Sequence, residues 1–183
     1  MNLRIVCWIA GLLLVLSLPL RLAAQETPPL SGQILSISTI PRLDPEPVLQ
    51  DYIDAFEFAA EAGVNGNVIT YKWSELEPAP GQYTLDDLAN GLNYLRAVYD
   101  YQFMIGIQVL NTTDKETPSD LLDVPFDDPQ MLARFTALFD AILPHLSADD
   151  VPYITIGNEV DVYLANEQAW DSYTAFYEAA VAD

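Results

Sequence analysis

The sequence predicts an α/β fold on a parallel sheet, and three features carry that prediction. Short segments rich in Ile, Val and aromatic residues alternate with longer ones whose apolar residues recur at helical spacing. The later short segments are largely apolar, as parallel strands are when both faces are covered. The strand starts fall near residues 33, 67, 103 and 151, the interval of a strand plus a right-handed crossover helix.

Taken in order, Gln33 to Thr39 is rich in Ile and Ser and reads as the first strand. Val48 to Ala62 then sets Leu49, Tyr52, Ile53, Phe56, Ala59 and Ala60 on one helical face, and Gly63 ends it. Asn67 to Trp73 is the second strand. Thr84 with Asp87 three residues on resembles a capping box, opening a helix whose apolar positions are Leu85, Leu88, Leu92, Leu95 and Val98. Phe103 to Leu110 is the third strand. Asp128-Pro129 starts the third helix, with Leu132, Phe135, Leu138, Phe139 and Ile142 inward. Val151 to Ile156 is the fourth strand. A last helix from about Asn166 is expected to bury Trp170, Tyr173, Tyr177 and Ala180.

Residues 1–24 stand outside this pattern. A lone early cation (Arg4), an apolar stretch from Ile5 to Leu20 and a small-residue exit at Ala23-Ala24 have the layout of a secretory signal, cleaved before Gln25. Cys7, the only cysteine, lies inside that stretch, so the remainder relies on neither disulfides nor thiolate chemistry. The chain has 27 Asp and Glu against 7 Lys and Arg, a net charge of −20. Nucleic acid and anionic lipid need clustered cations, so neither is an expected partner. An exported, soluble protein handling neutral ligands fits this surface, with no membrane partner once the signal is removed.

Two architectures accommodate such repeating units: an open doubly wound sheet and a (β/α)8 barrel. The first strand exit lacks the Gly-rich phosphate turn of a dinucleotide fold, and no GxxxxGK[ST] stretch occurs. The barrel is therefore the expected fold, as a partial TIM (β/α)8 barrel with about four βα units. A full barrel needs about 250 residues, so 25–183 is expected to be its N-terminal half, apparently truncated. Pairing of two such halves would also close the sheet, but continuation of the barrel is the preferred reading.

Barrel chemistry sits at the C-terminal ends of the strands. The first exit, Ser38-Thr39-Ile40, offers only hydroxyls, the second runs from Tyr71 to Pro78, and the third presents Gln108 and Asn111-Thr112-Thr113. The fourth ends in Gly157-Asn158-Glu159. A carboxyl group emerging from an apolar strand end is expected to be shielded from water, which favours its protonated form and suits a general acid. Asn158 beside it can both donate to and accept from a sugar hydroxyl.

These residues carry a resemblance. Trp73-Ser74-Glu75-Leu76-Glu77-Pro78-Ala79-Pro80-Gly81-Gln82-Tyr83 is similar to the W-x-x-x-E-P-x-x-G-x-Y segment after the second strand in the clan of retaining barrel glycosidases, which includes cellulase-like enzymes, xylanases and β-galactosidases. Asn158-Glu159 resembles the Asn-Glu pair that ends the clan's fourth strand. The resemblance implies a glycosidase acting on a β-linked oligo- or polysaccharide with retention. Glu159 would be the acid/base, Asn158 would bind the sugar 2-hydroxyl, and Trp73 would lie near the cleft. Asn111, at the neighbouring exit, joins them as a candidate substrate ligand. Glu77-Pro78 is expected to shape the loop beneath.

One departure matters. Retention needs a second carboxylate roughly 5 Å from the acid, and in this clan it ends the seventh strand. Glu75 and Asp161 occupy no corresponding position, so the chain as written is expected to be catalytically incomplete. A non-catalytic carbohydrate-binding or cell-surface barrel protein is the alternative. His145 is the only histidine and reads as a helix-terminal residue, so neither a Ser-His-Asp triad nor a zinc site is expected. Asp127-Asp128 and Asp149-Asp150 read as turn and cap residues, and no cofactor or metal is expected.

Overall fold

A computed structural model describes residues 33–147 and 149–182; the secretory signal expected at 1–24 lies outside them. In chain order the elements are β1 (Ser36–Ile37), α1 (Leu49–Glu61), β2 (Gly66–Lys72), the short α2 (Trp73–Leu76), α3 (Asp86–Tyr99) and β3 (Gln102–Asn111). There follow β4 (Asp114–Lys115), α4 (Pro129–Ile142), β5 (Tyr153–Asn158), the short α5 (Val160–Tyr163) and α6 (Glu167–Ala180). Among the described residues no helix is long and apolar enough to cross a membrane.

The long-range pairings are all parallel: β1 on β2, β2 on β3, and β3 on β5. β4 only folds back antiparallel on the end of β3. The principal strands therefore neighbour one another in chain order. A doubly wound sheet reverses its order at a switch point, whereas a barrel adds each strand beside the last. The order observed is that of a partial (β/α)8 barrel.

Register separates the two faces of the sheet. Ile69, Ile105 and Ile154 stand in one row and Tyr71, Ile107 and Ile156 in another, both facing the helices. There they meet Leu88, Leu92 and Leu95 of α3, Met131, Phe135, Leu138 and Ile142 of α4, and Tyr173 and Phe176 of α6. Full burial of each large apolar side chain in this layer contributes about 1.5–3 kcal/mol. The opposite face carries the row Thr70, Gly106 and Thr155, where a Cβ on Gly106 would lie 2.9 Å from Thr70 Cγ2 and 3.1 Å from Thr155 Oγ1. Thr70, Thr155 and Tyr153 on that face are exposed. The expectation of strands covered on both faces thus holds for the helix side alone.

Three further expectations are corrected. β1 has two ladder residues, where Gln33 to Thr39 reads as a strand. Asparagine side chains replace the missing ladder: Leu35 N–H donates to Asn65 Oδ1 at 2.7 Å, Asn65 Nδ2 donates to Gln33 O at 3.0 Å, and Thr39 N–H donates to Asn67 Oδ1 at 3.0 Å. Thr84 does not cap α3, which begins after Leu85 without a side-chain cap; its N–H donates instead to Leu76 O at 2.9 Å. Leu49 and Tyr52 of α1, Val98 of α3, and Trp170 and Tyr177 of α6 are exposed. For α1 and α6 the reason is position: they follow the first and last strands of the row, so an outer flank of each has no described neighbour. The cap at Asp128 forms as expected, accepting from Gln130 N–H at 2.8 Å, and Asn166 caps α6 by accepting from Ala169 N–H at 3.0 Å.

Candidate active site

The exits of β3 and β5 are joined side by side. Their ladder runs regularly to Ile107↔Ile156, and its next pair is Asn111↔Asn158, so β3 takes four steps where β5 takes two. This irregularity brings Asn111 opposite Asn158 and Thr112 opposite Glu159. Asn158 Nδ2 donates to Asn111 Oδ1 at 2.9 Å. Thr112 N–H donates to Asn158 O at 3.0 Å, and the Thr112 hydroxyl donates to Glu159 Oε2 at 2.6 Å. Asn158 keeps its amide oxygen, and Asn111 its amide nitrogen, for a ligand.

Glu159 sits on a tightly specified turn. Gly157 has φ 87°, a conformation in which a side chain is strained. A Cβ there would also lie 2.6 Å from Val160 Cγ1 and 2.7 Å from the Tyr173 hydroxyl oxygen. That hydroxyl donates to Ile156 O at 2.7 Å, tying α6 to the last turn of β5. Burial, and then the neighbouring Tyr177, pushes the Tyr173 phenol up to about 12. Glu159 itself is exposed. The shielding expected for it from the apolar strand is not supplied by the described residues.

The second exit lies differently from the expectation. Trp73 is 0% exposed, so it offers no face to a ligand and its expected place at the cleft is corrected to the core. Its ring meets Phe135 edge-on at 5.4 Å, and Nε1–H donates to Glu77 Oε2 at 2.8 Å. Glu77 is also 0% exposed. Its Oε1 accepts from Gly81 N–H at 2.8 Å and from Arg134 Nε at 2.9 Å, while Arg134 also donates to Asp120 at 2.7 Å. The Trp73–Glu77–Gly81 segment is therefore a folded clamp between the second exit and α4, and Glu77 fixes the loop that Glu77-Pro78 is expected to shape.

On the rim, Lys72 Nζ pairs with Glu116 Oε1 at 2.8 Å, and Glu116 holds the Lys72 amine above its ordinary value. Lys115 donates to the carbonyls of Leu122 and Val124 and lies 4.8 Å from the centre of the Phe126 ring; burial lowers its pKa. His145 lies in the turn after α4, where its carbonyl accepts from Arg96 at 3.1 Å. Asp150 pairs with the same arginine, while Asp127 accepts from the Ser172 hydroxyl at 2.6 Å. No group of His, Cys, Asp and Glu that could hold a metal ion occurs among the described residues.

Sequence reasoning passed over Thr112, Tyr173 and Arg134. Thr112 has no marker beyond its place at a strand exit. Tyr173 reads as packing, which it also does. Arg134 carried a signal: it stands among Met131, Phe135 and Leu138 on the apolar stripe of α4, where an arginine needs a buried acid.

The class that this architecture defines is the (β/α)8 barrel. No protein-family model matches the chain, and no curated protein matches it in sequence. Among solved structures it is similar to an exo-β-1,4-mannosidase from Opitutaceae bacterium strain TAV5, with TM-score 0.59 and 20% identity over 82% of this chain and 29% of that one. It is similar also to a GH5_18 protein from Bifidobacterium longum in complex with Manβ1-4GlcNAc, with TM-score 0.56 and 17% identity over 81% of this chain and 41% of that one. The chain thus spans well under half the length of both neighbours, and the likeness is one of fold.

Proposed function

We propose that the chain is the N-terminal part of a secreted glycoside hydrolase that cleaves a β-linked oligo- or polysaccharide with retention, Glu159 serving as general acid/base. The observation that carries this reading is the placement of Asn158-Glu159. The pair stands at the C-terminal end of the fourth parallel strand, on the rim where barrels hold their chemistry, and is locked to Asn111 and Thr112 of the neighbouring exit. The neighbours' names support the same class and put β-mannosides first among the substrates to test.

In this reading Asn158 and Asn111 hold sugar hydroxyls with the amide groups that their mutual bond leaves free. Glu159 protonates the departing glycosidic oxygen and later takes a proton from water. The nucleophilic carboxylate would come from a strand outside this chain, so residues 25–183 alone are expected to be inactive. Export follows from the leader at 1–24.

The test is Glu159→Gln in the full-length protein. The kcat/KM for glycosides with poor leaving groups is expected to fall by about a hundred-fold or more, while kcat/KM for dinitrophenyl glycosides, whose leaving group needs no proton, is affected far less. Undiminished hydrolysis of poor substrates would remove Glu159 from the mechanism. Sugar binding by calorimetry without turnover would favour a carbohydrate-binding barrel instead.

A further inference from the structure

Resting on the glycosidase reading, we infer that Thr112 is a positioning residue for Glu159, one that fixes which carboxyl oxygen exchanges the proton. Thr112 has φ 56° and Glu159, across the strand gap, φ 47°. A β-branched side chain in this left-handed region is a true outlier, and such geometry persists only where its surroundings over-determine it. Two bonds do so here: the Thr112 N–H to Asn158 O at 3.0 Å and the Thr112 hydroxyl to Glu159 Oε2 at 2.6 Å. Glycine at position 112 would make the same turn without strain. The turn therefore does not explain a threonine; its hydroxyl does.

A donor held on Oε2 suits both states of the acid/base. It donates to the carboxylate, and equally to the carbonyl oxygen of the neutral acid, whose proton then resides on Oε1. Oε1 gives that proton to the glycosidic oxygen as the electron pair of the breaking C–O bond passes to that oxygen. It regains a proton from the water that later attacks the sugar. Thr112 touches neither reacting atom; it keeps the carboxyl plane fixed through both halves of the cycle.

The experiment compares Thr112→Ser, Thr112→Gly and Glu159→Gln in the full-length protein. Tm is measured, together with kcat/KM for dinitrophenyl and methyl β-glycosides of mannose, glucose and galactose. Thr112→Ser is expected to match the parent. Thr112→Gly is expected to melt at or near the parent temperature, yet to lose about ten-fold or more on the methyl glycoside and little on the dinitrophenyl one. Equal loss on both substrates, or loss that tracks a fall in Tm, makes Thr112 a turn residue and overturns the inference. A leaving-group effect in Glu159→Gln without one in Thr112→Gly also sinks this inference, and it alone. Absence of the effect in Glu159→Gln, or a parent inert to every glycoside, sinks the glycosidase reading and this inference with it.

Discussion

Glu77 shows how one side chain can hold a barrel segment together. It is charged and completely enclosed, and it accepts from the Trp73 indole, the Gly81 amide and the Arg134 guanidinium. Replacing it with alanine would strand a largely buried cation and leave the indole N–H without its acceptor. Glu77→Ala is expected to cost about 3–5 kcal/mol in urea unfolding, with Glu77→Gln costing less because it can keep an acceptor for the indole. A small loss in Glu77→Ala would mean that water or Asp120 satisfies Arg134 unaided. At this scale the sequence is only partly legible. A tryptophan at a strand exit reads equally as cleft or core, and the glutamate four residues on, which decides between them, advertises no direction. The placement of Asn158, Glu159 and Asn111 side by side is legible because strand exits in a barrel point one way.

At the level of elements, the turn from β5 into α5 is the most constrained. Gly157→Ala would meet the left-handed backbone penalty and close contacts with Val160 and Tyr173 together. It is expected to destabilise the fold by about 2 kcal/mol or more and to loosen the Asn158–Asn111 bond, checked by thermal unfolding and a crystal structure of the variant. Unchanged stability would mean that the turn has slack. The helices α1, α3, α4 and α6 and the strands β2, β3 and β5 follow from apolar spacing and lie within a few residues of expectation. The extent of β1 and the cap of α3 do not. In both places a side chain or backbone amide bonds outside its own element, to Asn65, Asn67 or Leu76, and periodicity holds no record of such bonds.

For the whole molecule, alkaline pH probes the layer between sheet and helices. Burial, with Asp87 adding to it, pushes the Tyr71 phenol up to about 12 from 10.0, and Tyr173 is raised equally. A phenol whose pKa is higher folded than unfolded stabilises the fold fully below its unfolded value, and that contribution is lost as pH rises through the folded one. Stability is therefore expected to fall between about pH 10 and 12, and less steeply in the double variant Tyr71→Phe/Tyr173→Phe. Lys115, lowered by burial, has the opposite sign, since its burial penalty is relieved as pH rises through its unfolded value. Comparing the parent with the double variant cancels that term. Urea titrations by circular dichroism alongside tyrosinate absorbance read both; identical slopes would place the two phenols in contact with water. The barrel order is legible in the spacing of the units. The exposure of the face opposite the helices is not, because one face of a strand reads as apolar whether or not anything covers it.

The extra length of β3 sets a rule for anyone reshaping this rim. Adding or deleting a single residue within Gln108–Leu110 would turn Asn111 and Thr112 to the other side of the ladder and strip both of their cross-strand partners at once. The stretch beyond Pro118 is no freer, because Leu121 and Phe126 are buried in the core and Asp120 pairs with Arg134. Loop transplants on this scaffold have to respect both borders.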